Sequence, residues 1–434
     1  MPTLRSSRVV LGGEMRPATV RHESGVVVEI GSGTADEDYG DLVVMPGLVD
    51  SHVHVNEPGR ADWEGFGSAT KAAAAGGTTT IVDMPLNSIP PTVSVDALAR
   101  KRETASGKIS VDTAFWGGIV PGSAGEIGGM VEAGVSGFKA FMVDSGVEEF
   151  PPLELTELEA AMLIVAEAGV PLLLHAEDPA LVFDFDRDPQ SYEAYLASRP
   201  TDSEAFAVEV AGELAGRSGA SVHILHVSSG EGAERIGASQ WLTGETCPHY
   251  LVFCAEEIGA GATPFKCAPP IRDANHREAL WAALDAGLLN MVVSDHSPAP
   301  ADIKEIESGD FARAWGGIGS LQLRLQATWT AGSARGFGLE RLAGWLSTNP
   351  AALAGLGRRK GAIAEGMDAD FVVFDPDGSE TIYGTDLFHR HPITPYEGMT
   401  LRGTVVKTVL RGQNVYSSGV VSGGTGLMLE RYDD

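Results

Sequence analysis

The chain has 434 residues and a formal net charge of −28, from 31 basic and 59 acidic side chains, a balance that argues against nucleic acid or an anionic membrane as a partner. Its 43% hydrophobic content suits a globular enzyme, and the three cysteines, Cys247, Cys254 and Cys267, lack C-x-x-C spacing, so reduced thiols are expected rather than disulfides or a cysteine zinc site. The start, MPTLRSSRVVLGGE, shows no signal-peptide pattern and no apolar run reaches membrane-spanning length, which predicts a cytoplasmic protein.

Residues 1 to 42 include RVVLGGEMRPATVRHESGVVVEIGSG, whose alternation and glycine turns predict short antiparallel strands. From residue 43 to about 296, apolar runs alternate with helical patterns. The strand candidates are LVDSHVHV, TTTIVDMP, DTAFWGGI, GFKAFMV, PLLLHAED, SVHILHV, GETCPHYL and NMVVSDHS. Between them lie stretches of helix length, such as GFGSATKAAAAGG before the second and NHREALWAALDAG before the eighth. Eight βα units predict a (β/α)8 TIM barrel with its active site at the C-terminal ends of the strands. DADFVVFDPDG and TLRGTVVKTVLRGQNVY then return to the terminal style, so a small β-sandwich domain built from both termini is expected. The expected divisions are 1–49, 50–356 and 357–434, and the glycine-rich tail SSGVVSGGTG reads as loosely ordered.

The chemistry sits at the strand ends. His52 and His54 in DSHVHV are at i and i+2, so they project from one face of a strand, roughly 6.6 Å apart along the backbone. That suits two imidazoles on one metal ion, although a strand can carry such a pair for packing alone. Lys139 interrupts the apolar run SGFKAFMV, where a buried ammonium costs several kcal/mol unless it is paired or its pKa falls; the simplest alternative is a tip that escapes to solvent. His175 in LLLHAED, His226 in HILHVSS and Asp295 in VVSDHSP each end an apolar run. Four histidines and an aspartate at one rim predict a metal centre. A lysine at that level can react with carbon dioxide to give a carbamate, whose two oxygens bridge two divalent ions roughly 3.5 to 4 Å apart. Two such ions supply about +4, and the carbamate, Asp295 and a bridging hydroxide about −3, leaving roughly +1 to polarise a carbonyl. Among the other histidines, His223 is expected to face away from His226, His296 away from Asp295, and His249 to support the pocket from behind.

PGLVDSHVHVNEPG, AGGTTTIVDMP, GFKAF, LLLHAED, ETCPHYL, APPIRD and VVSDHSP resemble the cyclic amidohydrolases of the amidohydrolase superfamily, which comprise dihydroorotases, hydantoinases and allantoinases. The resemblance covers almost the whole chain. It implies His52, His54 and Asp295 on one metal, His175 and His226 on a second, and carboxylated Lys139 on both. Zinc is the first expectation, with manganese, cobalt or iron as other fits. The resemblance also implies a homo-oligomer, dimer or tetramer, and Asp295 as the catalytic proton carrier. Dihydroorotases carry an arginine two residues after the H-x-H pair, where this chain has Asn56, which disfavours an anionic substrate. The loops NEPGRADWEGFGSATKAAAAGGTTTIVDMPLNSIPPT, DSGVEEFP, FKCAPPIRD, SDHSPAP and AWGGIGSLQ are similar to the allantoinase branch, implying a small neutral cyclic amide with a ureido arm. Asn87, Asp144 and Ser145 are the candidate polar contacts, with turn capping as their alternative role; the resemblance adds Cys267 and Ala268 against the ring. A hydantoinase or dihydropyrimidinase remains open, as does a noncatalytic scaffold, which would be expected to lose ligand positions.

Overall fold

Eight strand segments close into a parallel barrel in the computed structural model, which describes residues 2–185 and 188–431. In chain order they are Leu48–Val53, Thr78–Asp83, Asp112–Phe115, Phe138–Phe141, Leu172–His175, Val222–Ile224, Leu242–Thr246 and Met291–Val292. Runs such as Thr78–Asp83 are buried on both faces, the pattern of parallel strands covered by helices. The third and fourth strands join through the Ser136 N–H donating to Phe115 O and the Gly117 N–H to Gly137 O, both at 2.9 Å. The eighth meets the first where the His54 N–H donates to His296 O at 2.8 Å. No edge is left open.

The helices between them start and stop where local chemistry dictates. The Ser94 hydroxyl accepts from Ala97 N–H to open Val95–Ala105, and Asp273 accepts from Asn275 and His276 N–H to open Ala274–Ala286. The stretch GETCPHYL departs from the strand expected of it after Thr246. Pro248 has no N–H for a ladder, and Pro248–Val252 is instead a helical turn.

Strands from both termini form the expected small β unit, hydrogen-bonded as one continuous nine-stranded sheet. The two ends of the chain meet where Val43–Pro46 pairs antiparallel with Phe371–Thr381. Val9, Val20, Val27, Val44, Phe371 and Val373 share a core of their own. The tail expected to be loose is tied down at its far end, where Thr425 Oγ1 donates to Ser110 O and Gly426 N–H to Ile109 O, both at 3.1 Å, and just beyond it Thr113 N–H donates to Leu427 O and Leu429 N–H to Thr113 O, both at 2.9 Å. Residues 1 and 432–434 of the expected terminal segments lie outside the described residues. Among the described residues no helix is long and apolar enough to cross a membrane.

A buried ion cluster locks sheet to barrel. Lys360 Nζ reaches Asp112 of the third barrel strand and Asp370 beside the terminal sheet at 2.7 Å each, and Asp368 at 2.9 Å. Arg411 adds a second cation to Asp112. Removing a partner from such a cluster strands buried charge, so Lys360→Met is expected to lower unfolding stability by roughly 3–5 kcal/mol. Urea titration checks this, and a loss near zero would mean that the carboxylates find other partners.

Candidate metal centre

Five barrel strands deliver six polar side chains to one point. The first supplies His52 and continues into His54; Lys139 comes from the fourth, His175 from the fifth, and His226 and Asp295 follow the sixth and eighth. Ring centroids lie 5.3 Å apart for His52 and His54, 5.4 Å for His52 and His226, and 4.6 Å for His175 and His226. Asp295 Oδ1 is 3.0 Å from His52 Nε2 and 3.4 Å from His54 Nε2, and Lys139 Nζ is 3.3 Å from His52 Nε2. All six side chains are buried. His226 and Asp295 leave their strands with φ of 37° and 44°, left-handed values that few non-glycine residues adopt outside functional sites.

Carboxylates behind the cluster set the tautomers. Glu245 Oε1 lies 2.5 Å from His52 Nδ1, so that nitrogen carries the proton and Nε2 is left for the centre. The other Glu245 oxygen lies 3.2 Å from His223 Nε2, while His223 Nδ1 meets Thr243 Oγ1 at 2.7 Å. His223 is thus a buttress that faces away from His226. Glu177 Oε2 plays the same part for His175 Nε2 at 2.6 Å, freeing Nδ1. Glu245 and Glu177 had no sequence-level assignment. Their signal was an acid inside or just after a buried strand, in GET and HAED, but the partners that explain it lie on other strands.

The donor set fits metal ions. His226 Nδ1 is buried with no hydrogen-bond partner among the described residues, a nitrogen awaiting a ligand. Burial, with Lys139 close by, pushes the His54 pKa down to about 3, and burial holds His226 well below its usual value, so both rings are neutral, the ligating form. For His52, burial acts downward but the Asp295 and Glu245 carboxylates turn the net shift upward. Burial alone would raise Asp295; the adjacent His52 and His54 hold it well below the carboxylate range. Imidazole nitrogens with a carboxylate suit zinc, manganese or cobalt, and the ligand atoms of His52, His54 and Asp295 all lie within 4.8 Å of one another.

Lys139 differs from the other buried lysines. Lys101 pairs with Asp83 at 2.6 Å, Lys360 with three aspartates, and Lys304 donates to three carbonyls. Lys139 has an imidazole nitrogen and the Phe141 ring, and no carboxylate in ion-pair range among the described residues. Burial brings its pKa down to about 8.

A cavity of about 560 Å³ opens onto the cluster and is lined by all of its members except His52. Asn87, Asp144, Ser145 and Ala268 line it as well. Asn87 is buried in a left-handed conformation with Oδ1 unpartnered and Nδ2 3.3 Å from His54 Nδ1. Asp144 is exposed at the rim, where one oxygen accepts from Gly146 N–H. The Ser145 hydroxyl is committed to Phe150 O at 2.6 Å. Cys267 is not among the lining residues; its thiol faces Pro269 O and its carbonyl accepts from Tyr195. His296 points away from Asp295, accepting from Ser320 N–H and contacting Glu64. His249 is buried against Tyr250 with neither ring nitrogen partnered among the described residues. Arg199, Lys266 and Trp315 complete the walls without having stood out in the sequence.

Residues 43–415 match the model of the Amidohydrolase family. The chain is 46% identical over 440 residues to an allantoinase of Streptomyces avermitilis, covering 99% of this chain and 98% of the relative. With an allantoinase of Saccharomyces cerevisiae the identity is 42% over 441 residues, covering 96% and 95%. Among solved structures, the L-hydantoinase (dihydropyrimidinase) from Arthrobacter aurescens aligns with a TM-score of 0.92 at 30% identity over 99% of this chain and 100% of that one. A dihydropyrimidinase from Brevibacillus agri aligns at 0.88 and 29%, over 99% and 98%.

The Glu245 contact makes a distinct prediction. Glu245→Gln is expected to weaken metal binding roughly 10–100-fold by releasing the His52 tautomer. Competition against a chromophoric chelator reads this directly; unchanged affinity would place the control of His52 elsewhere.

Proposed function

The chain belongs to the amidohydrolase family, and from that premise we propose that it is an allantoinase, a cyclic amidohydrolase that opens the ring amide of allantoin to give allantoate. The observation that carries this reading is the convergence of four histidines, Lys139 and Asp295 on one point that opens into a cavity walled by apolar side chains interspersed with polar ones such as Asn87, Ser198 and Ser297. Identity of 42–46% to allantoinases over nearly the full chain, against 30% to the L-hydantoinase, supports the substrate. Asn56, in place of an arginine after the H-x-H pair, argues in the same direction.

In this reading His52, His54 and Asp295 would hold one divalent cation and His175 and His226 a second, carboxylated Lys139 would serve as a ligand to them, and zinc would be the metal. When bound, the two cations supply Lewis acidity at the scissile carbonyl and a water of lowered pKa. Asp295 accepts the proton of the attacking water and hands it to the ring nitrogen as the C–N bond breaks. Asn87 and Asp144 offer polar atoms to the substrate and Ala268 its backbone. Ser145 and Cys267, whose polar groups are engaged within the chain, shape the wall. A cytoplasmic setting belongs to the same reading, since the three cysteines are free and buried. So does a homo-oligomer, because Leu163, Ile164 and Phe206 are exposed on the neighbouring helices Leu155–Ala168 and Thr201–Ser218.

Only the neutral amine of Lys139 reacts with carbon dioxide. Its pKa is lowered to about 8 in the metal-free protein, so below that pH it is a protonated, unreactive ammonium and above it a free amine. Carbamate formation in metal-free protein is therefore expected to rise between pH 7 and 9, read as a carbonyl NMR signal from labelled bicarbonate, and to be absent in Lys139→Ala. A signal that persists in Lys139→Ala would move the carbamate to another residue.

Turnover of metal-loaded, bicarbonate-treated protein on allantoin, hydantoin, dihydrouracil and dihydroorotate tests the function. Preference for allantoin is expected. Activity confined to hydantoin or dihydrouracil would favour the hydantoinase alternative, which the TM-score of 0.92 makes the nearest competitor. Silence on all four with metal bound would point to a noncatalytic scaffold.

A further inference from the structure

Arg199 is a cavity residue with no role yet. It follows the helix Tyr192–Ser198, and its side chain is 18% exposed, on the cavity side. One guanidinium nitrogen, Nη1, donates to Glu177 Oε2 at 2.5 Å, the same oxygen that meets His175 Nε2 at 2.6 Å. The guanidinium therefore stands two hydrogen bonds from a ring of the metal cluster. Its carbonyl is fixed by Arg272 Nη1 at 3.0 Å, whereas Nε and Nη2 have no hydrogen-bond partner among the described residues.

The other cations of the cavity are differently placed. The Lys266 ammonium is committed to Ala314 O and lies over the Tyr195 ring at 5.3 Å. Arg313 pairs with Glu305 and is 72% exposed. Among the described residues, Arg199 alone combines an anchored, largely buried guanidinium with free N–H groups on the cavity side. Glu177 balances its charge, so the pair presents N–H donors without a strong preference for an anionic guest. Asp144, near enough to act electrostatically on Arg199, adds an acceptor on the same side.

A donor fork beside a carboxylate is complementary to a urea group, whose carbonyl accepts and whose N–H groups donate in one plane. We propose that Arg199 is a specificity-determining residue that receives the carbonyl of the substrate's ureido arm, with Asp144 taking the arm's N–H groups. This deepens the allantoinase reading and rests on it.

Arg199→Lys keeps a cation for Glu177 but loses the planar fork, and Arg199→Gln keeps a neutral N–H donor. Each is assayed as the metal-loaded enzyme on allantoin and on hydantoin, which lacks the arm; hydantoin serves as competitive inhibitor where it is not turned over. The expected result is a fall of at least tenfold in the preference for allantoin over hydantoin, carried mainly by KM, with metal content kept. A preference within twofold of the parent, both rings losing alike, would overturn the subsite and reduce Arg199 to a support for Glu177 and His175. A parent enzyme that opens hydantoin but not allantoin would instead overturn the functional reading itself.

Discussion

Glu245 is the carboxylate on which the centre depends. One of its oxygens holds His52 and lies 3.4 Å from the His226 peptide nitrogen; the other braces His223. A buried carboxylate is tolerable only when its lone pairs are met, and these contacts come from the first and sixth strands, neither of them its own. Burial works to raise its pKa, but the charges and hydrogen bonds of His52 and His223 bring it down to about 2. It is therefore ionised throughout the physiological range. The charge fixes imidazole tautomers and, through them, which nitrogens face the cavity. Glu177 does this again at His175, with Arg199 as its counter-ion.

Beneath the cluster, a second buried pair seals the barrel. Arg324 donates to Val49 O at 2.9 Å, Val292 O at 3.2 Å and Leu346 O at 3.2 Å, and its Nε lies 3.4 Å from Asp50. Asp50 in turn accepts from the His52 and Ser294 N–H groups. The seam between the first and eighth strands is thus pinned directly below His52 and Asp295, which have to approach each other. Closing the barrel and assembling the centre are one event. The loops above the rim are tied separately, as by Lys304 to the Lys266, Trp315 and Gly317 carbonyls, so substrate choice can vary there while the geometry of the cluster stays put.

The six residues of the cluster were readable because each is a polar interruption of an apolar run, inside it for Lys139 and at its end for His175, His226 and Asp295, and the rim of a barrel is where such interruptions have a purpose. The residues that serve them were not. Glu245 and His223 lie within their strands, where a polar side chain has no local rationale and only a partner from another strand supplies one. Arg199 sits after a short helix, in a tripeptide, SRP, that carries no spacing relation to anything. Of the residues proposed to touch substrate, Asn87, Asp144, Ser145 and Ala268 line the cavity and Cys267 does not, and the sequence carried no sign of how their polar atoms are turned. Ser145 and Cys267 reach the cavity wall or lie just behind it with their polar atoms turned inward. The anchoring of the glycine-rich tail escaped notice because glycines predict freedom, whereas Thr425 and Gly426 bond to Ser110 and Ile109, which are distant in sequence.

The pairing of Val43–Pro46 with Phe371–Thr381 has a consequence for synthesis on the ribosome. The first strands of the terminal sheet emerge early, yet their partner is among the last segments made, after the entire barrel. Until then Val43–Pro46, whose four residues are all buried in the finished protein, exposes an apolar edge able to pair with any passing strand. Contacts of such long sequence separation form late and slowly. The nascent chain thus carries an adhesive edge for most of its translation.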